Sequence, residues 1–195
     1  MTYGRPREFD IDLALEAATQ QFWSTGYEAT SLQDLLQTMR LSKSSLYQTF
    51  GSKHELFVRC LGHYQESMAD ELHTKLASST SAKQFFCEFL EGVIAEAKKT
   101  NSRKGCLLVN TANELSQRDT SIATAVTDGT NNLAKVFRQA VELGKQQGEI
   151  RSGVSTKHLV SYFMTAVSGL RTMVKSGAEK SALKPVVELI IKSIF

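Results

Sequence analysis

Apolar residues recur at helical spacing along nearly the whole 195-residue chain. The first stripe, Ile11, Leu15, Ala18 and Phe22, falls at i, i+4, i+7 and i+11, which predicts an amphipathic helix over about 10–25. Gly26 follows, a residue that tolerates the left-handed conformation at a helix C-terminus. Ser31 with Asp34 is a capping-box pair set among Leu32, Leu35 and Leu36, and it predicts a short helix over 31–38. Ser42 caps a second short helix over 42–48 that carries Leu46 and Tyr47. Gly51 separates it from another capping box, Ser52 with Glu55. From there Phe57, Leu61, Tyr64, Met68, Leu72 and Leu76 hold helical phase and predict a connector helix over 52–77. Five further helices are predicted over 81–99, 104–116, 119–147, 155–176 and 181–194, separated by polar or glycine-containing breaks. No useful run alternates with period two. The expected fold class is therefore all-α, with a three-helix N-terminal head (1–52) and a C-terminal helical bundle (53–195).

Composition narrows the class. With 42% hydrophobic and 22% charged residues and two prolines, the chain reads as globular and not disordered. The apolar run over 186–191 is broken by Glu188 and falls short of a membrane span, and acids near the N-terminus do not suit a signal peptide. A cytoplasmic protein with no membrane partner is expected. Three cysteines, Cys60, Cys87 and Cys106, form no CxxC pair and indicate neither a disulfide framework nor a zinc site. His54, His63, His73 and His158 are scattered, without a ligand pair or a Ser/His/Asp or Glu-x-x-His pattern. No enzyme and no cofactor are expected.

The two short capped helices, joined by Met39, Arg40 and Leu41 and preceded by an amphipathic helix, form a helix-turn-helix pattern. The second of the pair would enter the major groove of double-stranded DNA, offering Lys43, Ser44 and Gln48 to base edges. Tyr47 offers a ring to pack and a hydroxyl for phosphate. Lys53 stands at a helix N-terminus, where cation and free N–H groups can share one phosphate oxygen. The net charge of +3 adds nothing, since acids slightly outnumber bases over 1–55, so any electrostatic argument rests on local placement. A helical head without nucleic acid also uses capped helices, but its packing does not explain Tyr47 and Lys53 at these spacings.

Phe22 and Gly26, then Tyr27, Thr30, Ser31 and Leu36, then Ser42, Lys43, Leu46, Tyr47, Phe50, Lys53 and Leu56 together resemble the tetracycline-repressor (TetR/AcrR) family, over roughly 13–56. The resemblance implies that Thr30, Ser31, Tyr47 and Lys53 position the DNA backbone, with Ser42 capping the helix whose Lys43 and Ser44 approach bases. Arg5 and Arg7, in the tail 4–7, look like family arms that reach into the minor groove. It also implies a homodimer on a palindromic operator, with recognition helices about 34 Å apart, and release by a small hydrophobic or electrophilic effector. One position departs from the pattern: Arg40 stands where the family usually has glycine in the turn. Either the turn is shifted, or a strained Arg40, at a cost of about 1 kcal/mol, offsets it through a phosphate contact. Thr49 replaces the aromatic residue or histidine often found beside Phe50.

In the body, the apolar faces carrying Phe86, Phe89 and Val93 on one helix and Phe163 and Val167 on another can enclose an effector, or can pack as solid core. Asn110 and Asn113 are polar groups on an otherwise apolar helix, suited to a ligand or to capping. Cys106 stands near a helix start beside Arg103 and Lys104, in a segment over 105–110 resembling that of regulators which include electrophile sensors; a small buried hydrophobe is the plainer role. Leu170, Met173 and Val174, with Leu189 and Ile190, give the last two helices surplus apolar surface for a four-helix dimer interface. The competing function is a helical-bundle adaptor or ligand-binding protein with no DNA role.

Overall fold

The computed structural model describes residues 9–98 and 103–195. Among the described residues there are nine α-helices and no strand: α1 (Ile11–Thr25), α2 (Leu32–Met39), α3 (Lys43–Phe50), α4 (Lys53–Ser78), α5 (Ala82–Ala95), α6 (Leu107–Leu115), α7 (Thr120–Gln146), α8 (Thr156–Lys175) and α9 (Lys180–Ile194). Local chemistry sets most of the starts. Asp10, Ser31, Ser42, Ser52, Ser81, Asp119 and Ser155 each accept a backbone N–H from the first turn of the helix they precede. Ser31/Asp34 and Ser52/Glu55 form complete reciprocal capping boxes.

Two boundaries differ from expectation. The helix predicted over 104–116 begins only at Leu107, because Gly105 has φ 71° and Cys106 is extended. The helix predicted over 81–99 ends at Ala95 and tightens into a 3₁₀ turn, Glu96–Lys98.

The head closes α1, α2 and α3 over Ala18, Phe22, Leu35, Met39, Leu46 and Phe50, and α4 supplies Leu56 and Phe57 to the same core. Phe22 meets Phe57 edge-on at 4.8 Å. Because α4 continues for 26 residues and also packs along α7, one rigid element belongs to both head and body. The body is centred on an aromatic cluster: Phe86 of α5, Phe137 of α7 and Phe163 of α8 lie with ring centroids 4.7–6.1 Å apart. No described helix is long and apolar enough to cross a membrane.

Candidate nucleic-acid interface and ligand cavity

The turn between α2 and α3 is not shifted. Arg40 sits in the left-handed region (φ 54°, ψ 42°), among the described residues the sole non-glycine with positive φ. Its N–H donates to Gln37 O at 3.3 Å and that of Leu41 to Leu36 O at 3.0 Å, the paired bonds of a Schellman ending. The side chain of Arg40 is exposed on the head surface.

Helix α3 has two faces. Leu46 and Phe50 are wholly buried, while Ser42, Lys43, Ser44, Tyr47 and Gln48 are exposed, with Tyr47 at 45%. Ser42 Oγ is held by Ser45 N–H at 3.1 Å, so its first duty is the cap. Lys53 lies over the Tyr27 ring, its Nζ 4.3 Å from the centroid, in the first turn of α4. Ser31 is exposed, and its hydroxyl donates to Asp34 at 2.7 Å. The bonds from Ser31, side chain first and backbone second, hold the Asp34 carboxyl below its ordinary pKa.

Thr30 is a correction. It is fully buried, its hydroxyl donating to Gly26 O at 2.6 Å and lying 2.6 Å from Thr25 Oγ1. It braces the α1–α2 turn and does not reach the surface. Arg5 and Arg7 lie outside the described residues.

The junction of head and body is polar. Glu114 of α6 accepts the N–H groups of Tyr27 at 3.2 Å and Glu28 at 2.8 Å. Trp23 Nε1 donates to Gly105 O at 3.2 Å, and Lys104 Nζ to Gln20 Oε1 at 2.6 Å. His54 Nε2 lies 2.7 Å from Asp119 Oδ2 and 3.2 Å from Ser121 Oγ. Sequence spacing gave no sign of this trio. Both oxygens meet the same ring nitrogen, so it cannot relay a proton as a Ser/His/Asp triad does. No group of three or more metal-ligating side chains occurs among the described residues.

Two concavities flank this junction. An open cleft of about 560 Å³ runs between the α1–α2 turn and α6, with Trp23, Tyr27, Asn110, Asn113 and Glu114 in its wall. Asn110 also caps locally, donating from Nδ2 to Lys104 O at 2.8 Å. The second, of about 60 Å³, lies within the body, and Phe89, Cys106 and Val167 line it. Sequence reasoning missed Tyr64, Met68 and Arg171 in the same wall, where Met164 also stands. Tyr64 donates to Cys106 Sγ at 3.8 Å, and burial raises the pKa of its phenol, keeping it neutral.

Several expected effector residues lie away from the wall of the body cavity. Phe86, Phe163 and Val93 are at most 2% exposed and build the solid core, not the cavity wall, because the aromatic cluster fills the space between α5 and α8. Asn110 and Asn113 face the head–body cleft instead of the body cavity. Burial pushes the Cys60 thiol up to about 12, which leaves it a core side chain.

The expected dimer residues divide in the same way. Leu170, Val174 and Ile190 are buried within the protomer and offer almost no surface to a partner. Met173 at 42% and Leu189 at 62% are exposed, as is Tyr162 at 41%. On α9, Ala182, Pro185 and Leu189 recur on one exposed face.

The profile described as "Bacterial regulatory proteins, tetR family" matches residues 14–60, and "Tetracyclin repressor-like, C-terminal domain" matches residues 66–190. The HTH-type transcriptional regulator YezE of Bacillus subtilis is 31% identical over 147 residues, spanning 75% of this chain and 76% of that protein. The transcriptional repressor ComR of Escherichia coli is 26% identical over 181 residues, spanning 92% and 86%. A cysteine mutant of the TetR-family regulator CifR, solved with 26-base-pair operator DNA, superposes with a TM-score of 0.84 at 29% identity, covering 97% of this chain and 99% of that one. With a matched head on a matched body, the chain belongs to the TetR family of DNA-binding transcriptional regulators.

Proposed function

We propose that the chain is a homodimeric repressor that grips a palindromic operator with two copies of α3 and is released when a small molecule enters the body. The two-faced character of α3 carries this reading: Lys43, Ser44, Tyr47 and Gln48 stand exposed on a helix anchored by Leu46 and Phe50. Lys43 and Ser44 read bases, while Ser31, Arg40, Tyr47 and Lys53 hold phosphates. Residues 1–52 serve as the DNA-binding head and 53–195 as the sensing and dimerising body, with α4 continuous between them. A repressor of this kind acts where the chromosome is, in the cytoplasm, and needs no catalytic centre of its own. The body cavity is the effector site, and Cys106 in its wall is the residue an electrophilic effector meets there. A ligand controls DNA affinity only by binding two arrangements unequally, and a coupling of about 3 kcal/mol corresponds to a factor of roughly 150.

The test compares two lysines by fluorescence anisotropy on operator and on unrelated duplex. Lys53→Ala weakens both and flattens the salt dependence, whereas Lys43→Ala loses preference for the operator, at about 1–3 kcal/mol. Parent-like behaviour of both variants on both duplexes would remove the groove assignment.

A further inference from the structure

Arg171 of α8 is 8% exposed, and it lines the body cavity. The wall around it is apolar apart from the Cys106 thiol and three hydroxyls. Two of these already donate to their own helices, Thr130 to Val126 O and Ser168 to Met164 O, each at 2.8 Å. Arg171 is thus the charged donor at the cavity. A guanidinium carries five N–H groups. Its Nη1 donates to Gly105 O at 3.3 Å, a long bond to a neutral acceptor, and forms a long ion pair with Glu96 Oε1 at 3.9 Å, beyond hydrogen-bond reach. The Phe89 ring, 6.0 Å from Cζ, adds a weak cation–π contact. A cation held by one long hydrogen bond and one long ion pair gains from an anion that can approach it more closely.

Gly105 O is shared. Trp23 Nε1 of α1 donates to it at 3.2 Å, so one carbonyl joins the cavity wall to the DNA-binding head.

Building on the reading of this cavity as the effector site, we propose that it takes a small organic monoanion, a carboxylate on a short apolar body, which pairs with Arg171 and draws it away from the Gly105 carbonyl. Carboxylate and guanidinium match as a two-pronged pair, which a single carbonyl cannot equal. The tail lies against Phe89 and Val167. A volume of about 60 Å³ is far below the roughly 300–1,000 Å³ of drug-sized sites, so the anion is compact. Unbranched Met68 and Met164 in the wall can shift to admit a few more carbons. Once Arg171 turns to the anion, Gly105 O retains Trp23 as its remaining donor. The loop that also fixes Lys104 on Gln20 of α1 then resettles, and the head moves with it.

Trp23 is the only tryptophan in the chain, so its emission reports on this contact and its immediate surroundings. The full-length protein is titrated without DNA, using butyrate, isovalerate and benzoate against butyramide, isovaleramide and benzamide, with chloride and sulfate at matched ionic strength. At least one carboxylate is expected to shift Trp23 emission saturably and to weaken operator binding at least 10-fold, while its amide and the inorganic salts do neither. Arg171→Gln is expected to raise the carboxylate Kd at least 10-fold, and Arg171→Lys to fall between. If Arg171→Gln does not fold, Arg171→Lys and the amide series carry the test. A parent that answers carboxylate and amide alike, a folded Arg171→Gln that answers like the parent, or no saturable response to any of the three carboxylates overturns the proposal. Operator release by the amides alone overturns the anion and leaves an effector-controlled repressor standing. A parent without operator affinity defeats the repressor reading instead, and Trp23 emission still decides the anion.

Discussion

Arg40 occupies a backbone conformation that glycine takes at no steric expense, at a turn that fixes the angle between α2 and α3. Its strain, about 1 kcal/mol, serves no packing purpose, because the side chain is exposed. Arg40→Gly is therefore expected to raise stability by up to about 1 kcal/mol in urea denaturation, and to lower operator affinity with a shallower salt dependence as one phosphate contact disappears. A stabilised variant with unchanged operator affinity would leave the arginine without a DNA role. The position was legible in sequence as a departure from the expected glycine, but which way the conflict resolves depends on Leu36 and Leu41, which pack against the head core and hold the ending in place. Thr30 shows the opposite limit. The family resemblance implies a contact to the DNA backbone, whereas its hydroxyl turns inward to Gly26 O, and nothing local announces that choice.

Helix starts were the most legible elements, since a cap is a bond between residues two or three apart. Asp119 illustrates what a cap does beyond starting a helix. Its carboxylate accepts from Ser121 and from the N–H of Ile122 and also faces His54, and these bonds, with Ser121 the largest cause, lower its pKa to about 2 from 3.8. A carboxyl whose folded pKa is depressed adds stability that is fully present above its unfolded pKa and is lost as pH falls through the folded one. Thermal melts of the parent are thus expected to decline between pH 3.8 and about 2 through this group. Asp119→Asn keeps a good cap and is expected to melt with a shallower acid slope over that interval; an unchanged slope would assign the acid response elsewhere. Contacts between distant elements were not legible. Glu114 sits 86 and 87 residues from the amides it receives, and no periodicity pairs it with Tyr27 and Glu28. Glu114→Ala leaves those two N–H groups without their acceptor, at about 1–3 kcal/mol. Faster hydrogen exchange at Tyr27 and Glu28, with weaker operator binding, is the expected result, and unaltered exchange would show that α6 does not hold the α1–α2 turn.

At the scale of the molecule, apolar periodicity identified α8 and α9 as rich in surface but could not divide that surface between the protomer's own core and a partner. The division follows from which face turns toward α5. Leu170, Val174 and Ile190 are at most 3% exposed and belong to the interior, while Met173, Leu189 and Tyr162 remain outside. Glutamate placed at these two kinds of position has opposite consequences. Leu170→Glu buries an unpaired charge in the body and is expected to unfold the protomer, which says nothing about assembly. Leu189→Glu sets a charge on a residue 62% exposed in the single chain, so the fold tolerates it, but in a two-fold pair the patch meets a copy of itself. The same substitution then adds a charge to each side of a pair formed through this face. The expected outcome is a monomer by light scattering that keeps the parent's helical circular dichroism and loses most operator affinity, because a single head engages only one half-site. A Leu189→Glu protein that remains dimeric and binds operator like the parent would move the interface away from α9, and Met173→Glu would then test α8 by the same pair of measurements.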